Sequence, residues 1–250
     1  KVHILLGENG AGKSTLVKII SGVYHRDEGS MWYDGKEVNF TNVRQSMDAG
    51  ISIIHQELNL LPERTIAQNI YLGHEPMRKG LKGVVDYKKM VRDSRALMES
   101  LGLDMNPNTL VKKLSIAQMQ MVEIARAISY GSRIVIMDEP TSALSDKEVK
   151  VLYKIIRKLT SNGVAVLFIS HKLEEVFDLA DRVTIFRDGH MVGQHVVKDI
   201  TMDDLINGIA GRKVENLYPK EDIPKGEVLL DVKHLNKQGV FEDINFQVRA

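Results

Sequence analysis

An α/β fold built on a mainly parallel sheet is predicted by three observations. Short apolar runs read as buried strands, helical periodicities lie between them, and a glycine-rich turn joins the first run to the first helical stretch. The runs are Val2–Leu6, Ile51–His55, Ile134–Met137, Val164–Ile169 and Val183–Arg187. Strands this continuously apolar suit a sheet covered on both faces, because a half-exposed strand alternates polar with apolar residues. Lys13–Gly22 puts Leu16, Ile19 and Ile20 on one helical face. Asp146–Asn162 repeats Val149, Leu152, Ile155, Ile156 and Leu159 at spacings of three and four. Asp34-Gly35 and Asp188-Gly189 divide strand-like pairs, MWY from EVNF and TIFR from MVGQHV, and predict tight antiparallel hairpins at the periphery.

From about residue 73 to 130 the strand signals vanish, and Asp86–Gly102 and Ser115–Ser129 carry helical periodicity, as an inserted helical lobe would. Its basic cluster, Arg78, Lys79, Lys82, Lys88 and Lys89, reads first as a solvated loop and second as a contact for anionic lipid headgroups. Residues 219–226 belong to the proline-containing, mixed-charge stretch NLYPKEDIPKG and read as a linker. It separates a first domain at 1–218 from strand-like runs EVLLDV and DINFQV at 227–250.

Composition narrows the function classes. Lys plus Arg (34) nearly balance Asp plus Glu (33), so no global field draws the chain to nucleic acid or an acidic surface. The absence of cysteine excludes a disulfide framework and thiolate metal sites. No apolar run is long enough to cross a bilayer as a helix. The chain opens on Lys rather than Met, so its true start is expected upstream.

Chemistry concentrates in two places. Gly7-Glu8-Asn9-Gly10-Ala11-Gly12-Lys13-Ser14, followed by Thr15, fits G-x-x-x-x-G-K-[ST] between a strand and a helix. Glycines there let backbone N–H groups turn toward phosphate oxygens, and the helix start adds partial positive charge. Lys13 is expected to reach the β and γ phosphates and the Ser14 hydroxyl to ligate Mg²⁺. The second place is IVIMDEP, where Asp138 and Glu139 end an apolar strand and burial is costly unless a cation or polar partner compensates. Asp138 is the expected Mg²⁺ holder and Glu139 the group that takes a proton from, or orients, an attacking water. Alone, the second motif reads as an exposed turn.

Together with LSIAQMQ at Leu114–Gln120 and ISH at Ile169–His171, these motifs resemble the ATPase subunits of ABC transporters, in order and spacing across nearly the whole chain. The resemblance implies a P-loop NTPase fold with the ABC helical lobe, and ATP and Mg²⁺ as cofactors. It also implies that a facing ATPase unit caps the γ-phosphate with the signature residues Ser115, Ala117 and Gln118. Ile116 and Ala117 stand where the family usually has two glycines, and Ile116 cannot adopt a glycine-only backbone cheaply. Read alone, LSIAQMQ is a Ser-capped helix start. By the same resemblance Gln56 sits at the glutamine that contacts Mg²⁺ or water and senses the transport subunit. His171 sits at the switch histidine that bonds the γ-phosphate, and Ser142–Asp146 at the loop that crosses the dimer. Individually, these are a polar strand end, a packed histidine and a turn.

Family members precede the phosphate loop with an antiparallel strand region, so that region is expected to be truncated here. The 227–250 stretch resembles it, as the opening strands of a second ABC ATPase domain. Tandem halves and the stretches HQELNLLPERTIAQNIYLG and ISHKLEEVFDLADRVTIFRDG resemble ATPases of monosaccharide importers in the ribose, galactose and methyl-galactoside group. The implied partners are a second ATPase domain, membrane permease subunits docked near residues 56–73 and, indirectly, a periplasmic sugar-binding protein, with no nucleic acid. The implied place is the cytoplasmic face of the bacterial inner membrane, peripherally bound. A soluble ABC ATPase acting on ribosomes or DNA is the alternative, and a small-molecule P-loop kinase gives no reason for LSIAQMQ.

Overall fold

The computed structural model describes residues 1–81, 83–211 and 226–250. They fall in two compact units, Lys1–Lys213 and Val214–Ala250. In the first, β1 (Val2–Leu6) leads through the glycine-rich turn into α1 (Lys13–Ile20). A ribbon of β2 (Met31–Tyr33) and β3 (Lys36–Val38) turns on Asp34 and Gly35, at φ 52° and 75°. Two successive left-handed residues are what a two-residue turn matched to strand twist requires. There follow α2 (Val43–Asp48), β4 (Ile51–Ile54), α3 (Ile66–Ile70), α4 (Tyr87–Leu101), α5 (Ile116–Ser129), β5 (Ile134–Asp138), α6 (Asp146–Ser161), β6 (Ala165–Ser170), α7 (Leu173–Leu179), β7 (Arg182–Arg187), β8 (His190–Val196) and α8 (Met202–Ala210).

One six-stranded sheet runs β4-β5-β6-β1-β7-β8. Neighbours are parallel except β7 and β8, which pair antiparallel across Asp188 and Gly189. This order sets the carboxyl ends of β5, β6 and β1 side by side, where open α/β sheets bind their ligands. Alternation along each strand builds two cores. Val2, Ile4 and Leu6 join Met137 and Phe168 on one face, and Leu5, Ile136 and Ile169 meet Val17 on the other. Helix α6 buries Leu152, Ile155, Ile156 and Leu159, one stripe of an amphipathic helix.

Helix α1 faces the sheet differently from expectation. Its buried residues are Lys13 and Val17, and Leu16, Ile19 and Ile20 are half-buried. The loop fixes Lys13 inward, and Val17, one turn later, must share that face. Helices α2, α3, α7 and α8 escaped periodicity because they span only five to nine residues. Asn42, Thr65 and Thr201 each cap one, and those caps were the available signal. Between β4 and β5 the described residues hold no strand, only the isolated bridges Thr65↔Leu110 and Met77↔Val85. In the second unit β9 (Val228–Lys237) and β10 (Phe241–Arg249) form an antiparallel ribbon. Residues 219–225 of the expected linker lie outside the described residues.

Candidate functional site

The phosphate-loop geometry follows from its glycines. A Cβ on Gly7 would lie 2.4 Å from the Phe186 carbonyl oxygen on β7, so β1 can end there only without a side chain. Gly10 and Gly12 take φ 85° and 98°, values that strain any other residue. Gly12 caps α1 with no side-chain hydrogen bond, which leaves the first-turn N–H groups of Lys13, Ser14 and Thr15 available to an anion. The Gly189 N–H donates to the Ala11 carbonyl at 3.2 Å, so the β7–β8 turn braces the loop. Glu8, Asn9, Gly10 and Ala11 line a hollow of about 130 Å³, walled opposite by Phe186 and Asp188. Lys13, only 5% exposed, folds back so that Nζ donates to the carbonyls of Gly7 at 2.7 Å and Glu8 at 2.9 Å. Burial lowers its pKa, against the pull of the Glu139 and Asp138 carboxylates.

Those carboxylates leave the end of β5. Burial and then the adjacent Glu139 charge raise the pKa of Asp138, opposed by His55, a hydrogen bond from Ser14 and the charge of Lys13. The Asp138 carboxylate thus feels Ser14 and Lys13, which come from a distant segment of the chain. Glu139 has φ 46°, a left-handed backbone rare for a residue with a Cβ, held by its N–H donating to the Ile169 carbonyl at 3.2 Å. Its Oε1 accepts from His171 Nδ1 at 3.0 Å. The ends of β5 and β6 therefore present an acid and a histidine as a pair.

Behind that pair lies a cluster the sequence reading missed. Glu175, 4% exposed on α7, accepts from the Thr141 hydroxyl at 2.5 Å and from the Ser170 hydroxyl. Ser170 Oγ in turn accepts from the Lys172 N–H at 2.9 Å. A buried carboxylate thus ties the segment after Glu139 to the residues on both sides of His171. The signal was two acidic residues opening a short helix just after a candidate switch histidine.

The remaining expected site residues stand apart. Gln56 is exposed just beyond β4. Ser115 caps α5 in a reciprocal box: its Oγ accepts from Gln118 N at 3.2 Å, and Gln118 Oε1 accepts from Ser115 N at 2.9 Å. Among the described residues no hydrogen bond or ion pair joins Ser115, Ala117 or Gln118 to the phosphate loop. Ile116 begins α5 with helical backbone and a 52% exposed side chain. The expected glycine-only conformation is therefore not required there, because helix dihedrals suit any L-residue. Near Gln56, a cavity of about 190 Å³ opens between β4 and α5, lined by Ile53, His55, Asn59, Glu123 and Arg126. Burial raises the pKa of Glu123, which accepts from the Asn59 N–H at 3.0 Å.

Mg²⁺ suits this donor set. Among the described residues no three His, Cys, Asp or Glu side chains gather to hold a metal. Mg²⁺, however, typically takes one or two protein oxygens and completes its shell with water and substrate phosphates, and Ser14 and Asp138 offer that much. Folding raises the Asp138 pKa, so the folded chain holds this proton more tightly than the unfolded chain does. Stability on this account is greatest below the unfolded carboxylate pKa and falls as pH rises through the folded value. Asp138→Asn is expected to raise the melting temperature by a few °C near pH 7. The gain should shrink toward pH 4, roughly where the unfolded carboxylate also protonates. A melting series over that range checks it, and a variant less stable at neutral pH would refute it.

Comparison with known proteins places the chain in a family. The family described as ABC transporter matches residues 1–142. A putative ribose/galactose/methyl galactoside import ATP-binding protein from Halalkalibacterium halodurans is 49% identical over 99% of this chain and 47% of its own length. One of the same description from Agrobacterium fabrum is 47% identical over 100% of this chain and 48% of its own length. A galactose/methyl galactoside import ATP-binding protein from Photobacterium profundum is 45% identical over 99% of this chain and 50% of its own length. The chain spans about half the length of the curated relatives it matches. Among solved structures, the ADP conformation of the transporter cassette MJ1267 superposes with TM-score 0.72 at 25% identity, over 85% of each chain. A nucleotide-free transporter cassette gives 0.72 at 25% identity, over 86% of each. With the family match over residues 1–142, relatives 45–49% identical over nearly the whole of this chain, and the Lys13 loop set near Asp138, this protein belongs to the ABC transporter family.

Proposed function

We propose that the chain binds ATP with Mg²⁺ and hydrolyses it as the motor domain of a bacterial importer for a monosaccharide of the galactose/methyl-galactoside or ribose type. The observation that carries this reading is the Glu139–His171 pair at 3.0 Å, set beside the Lys13 loop at the carboxyl ends of the sheet. Gly7 to Gly12 and the α1 N–H groups cradle the triphosphate, Lys13 neutralises its β and γ oxygens, and Ser14 with Asp138 holds the metal. Bound there, Mg²⁺ would neutralise charge on the phosphate oxygens. Glu139 orients the attacking water and accepts its proton, and His171 holds both Glu139 and the γ-phosphate. Gln56, exposed just beyond β4, senses the metal or its water and the membrane subunits docked near residues 56–73.

Ser115, Ala117 and Gln118 belong to the opposite half of a composite site, where they cap the γ-phosphate bound by a facing ATPase domain. Their placement away from this chain's own loop supports that division. The 227–250 ribbon is read as the opening strands of the second domain. A two-stranded ribbon is marginal alone, and its exposed Leu229, Leu230 and Phe246 suit a larger sheet. Among the described residues no helix is long and apolar enough to cross a membrane. On the importer reading, work is passed to permease subunits at the cytoplasmic face of the inner membrane, and a periplasmic sugar-binding protein takes part only through them.

The test is affinity purification of the parent protein from detergent-solubilised cells. Permease subunits recovered in stoichiometric amounts, with sugar-dependent ATP hydrolysis on reconstitution, are the expected result. Recovery with ribosomes or DNA and no membrane protein would refute the importer reading.

A further inference from the structure

We infer that the loop ahead of α4 is a membrane-surface contact that binds anionic lipid headgroups and inserts a small apolar tip between them. Four large apolar side chains are exposed within eleven residues: Met77 (52%), Leu81 (52%), Val84 (41%) and Tyr87 (56%). Single exposed apolar residues are ordinary, but four within eleven residues are not. Backbone bonds tie the loop's described residues together. Arg78 N donates to Val84 O at 2.8 Å, Leu81 N donates to Arg78 O at 3.2 Å, and Met77 bridges Val85. Gly80 and Gly83 both take φ 80°, the left-handed region that turns favour.

The charges around this tip identify the partner. Residues 75–93 carry six basic against three acidic side chains, in a chain whose net charge is only +1. Exposed Arg78, Lys79, Lys88, Lys89 and Arg92 surround a basin of about 550 Å³. Asp86, the one acid lining it, is taken up in capping α4 through the Lys89 N–H at 2.9 Å. Asp93 is shared by Lys89 and Arg92. Among the described residues Arg78, Lys79 and Lys88 have no carboxylate partner. Two of the lysines, Lys88 and Lys89, occupy the first turn of α4, where the helix dipole is already positive. Lys89 is partly offset by its pairing with Asp93 one turn on, but Lys88 gains nothing locally from its place, whereas an anionic surface would reward both. Basic side chains around an exposed apolar tip match a negatively charged bilayer, where headgroups meet the cations and the tip meets the acyl boundary.

The test uses the full 250-residue chain and vesicles of phosphatidylcholine, with and without about one-third phosphatidylglycerol, in about 0.1 M salt. Co-sedimentation is expected with the anionic vesicles and not with the neutral ones. It should weaken on the order of 100-fold when Arg78→Gln, Lys79→Gln and Lys88→Gln are combined, at about fivefold per cation near the surface. A tryptophan reporter, Leu81→Trp, should shift to the blue on anionic vesicles. All four sites are exposed, so folding is preserved, and a melting curve verifies that. Equal binding to both vesicle types, undiminished binding by the triple variant, or a reporter that stays water-exposed on bound vesicles would each overturn the proposal. So would a chain that ignores vesicles and binds DNA through the same cluster. None of these readouts needs ATP, so they stand apart from the motor reading.

Discussion

Glu139→Gln is expected to retain ATP binding and to lose steady-state turnover by about 10²- to 10⁴-fold, the usual size of a lost general base. Binding should survive because, on the proposed reading, the phosphate contacts come from the loop backbone and Lys13, which the substitution leaves alone. The amide is nearly isosteric and still accepts from His171 Nδ1 through its oxygen, so the 3.0 Å pairing persists. What disappears is the proton acceptor. The left-handed backbone of Glu139 makes this sharper, because the side chain is aimed by a conformation that costs of order 1–3 kcal/mol and persists only under external support. Measured nucleotide affinity beside single-turnover hydrolysis separates the two effects. Undiminished hydrolysis would remove Glu139 from this role.

Lys13→Met is expected to fail earlier, at binding, with ATP affinity lower on the order of 100-fold, as the loss of charge-assisted bonds to a buried partner implies. Methionine keeps much of the buried stem's volume, so packing beside Val17 is little disturbed. The carbonyls of Gly7 and Glu8 lose their donor, and Asp138 loses a cation that opposes its raised pKa. Titration with a fluorescent ATP analogue checks the affinity, and a melting curve checks that the chain is folded. Affinity within a few-fold of the parent would show that the ammonium group does not meet the phosphates.

Much of this architecture is written locally. The apolar runs anticipate β1, β4, β5, β6 and β7 to within about a residue at each end, because strands buried on both faces leave no room for polar residues. Asp34-Gly35 and Asp188-Gly189 anticipate their hairpins because few other pairs accept two positive φ angles. The phosphate loop is legible for the same reason, since Gly7, Gly10 and Gly12 each meet a constraint that a side chain would violate. The short helices were less visible, because about two and a half turns or fewer show little period.

Sequence alone therefore determined the strand set, the turn residues, the phosphate loop and the acidic strand end, all features in which neighbouring residues satisfy a local backbone or burial demand. Tertiary structure decided which of them meet. The strand order joins Asp138 to Ser14 and Glu139 to His171, ties Thr141 and Ser170 through Glu175, and turns Lys13 rather than Leu16 inward. It also leaves Met77, Leu81, Val84 and Tyr87 exposed near Arg78, Lys79 and Lys88, which have no carboxylate partner among the described residues. These pairings join residues far apart in the chain, and their energies depend on burial and distance, which no local pattern of residues encodes.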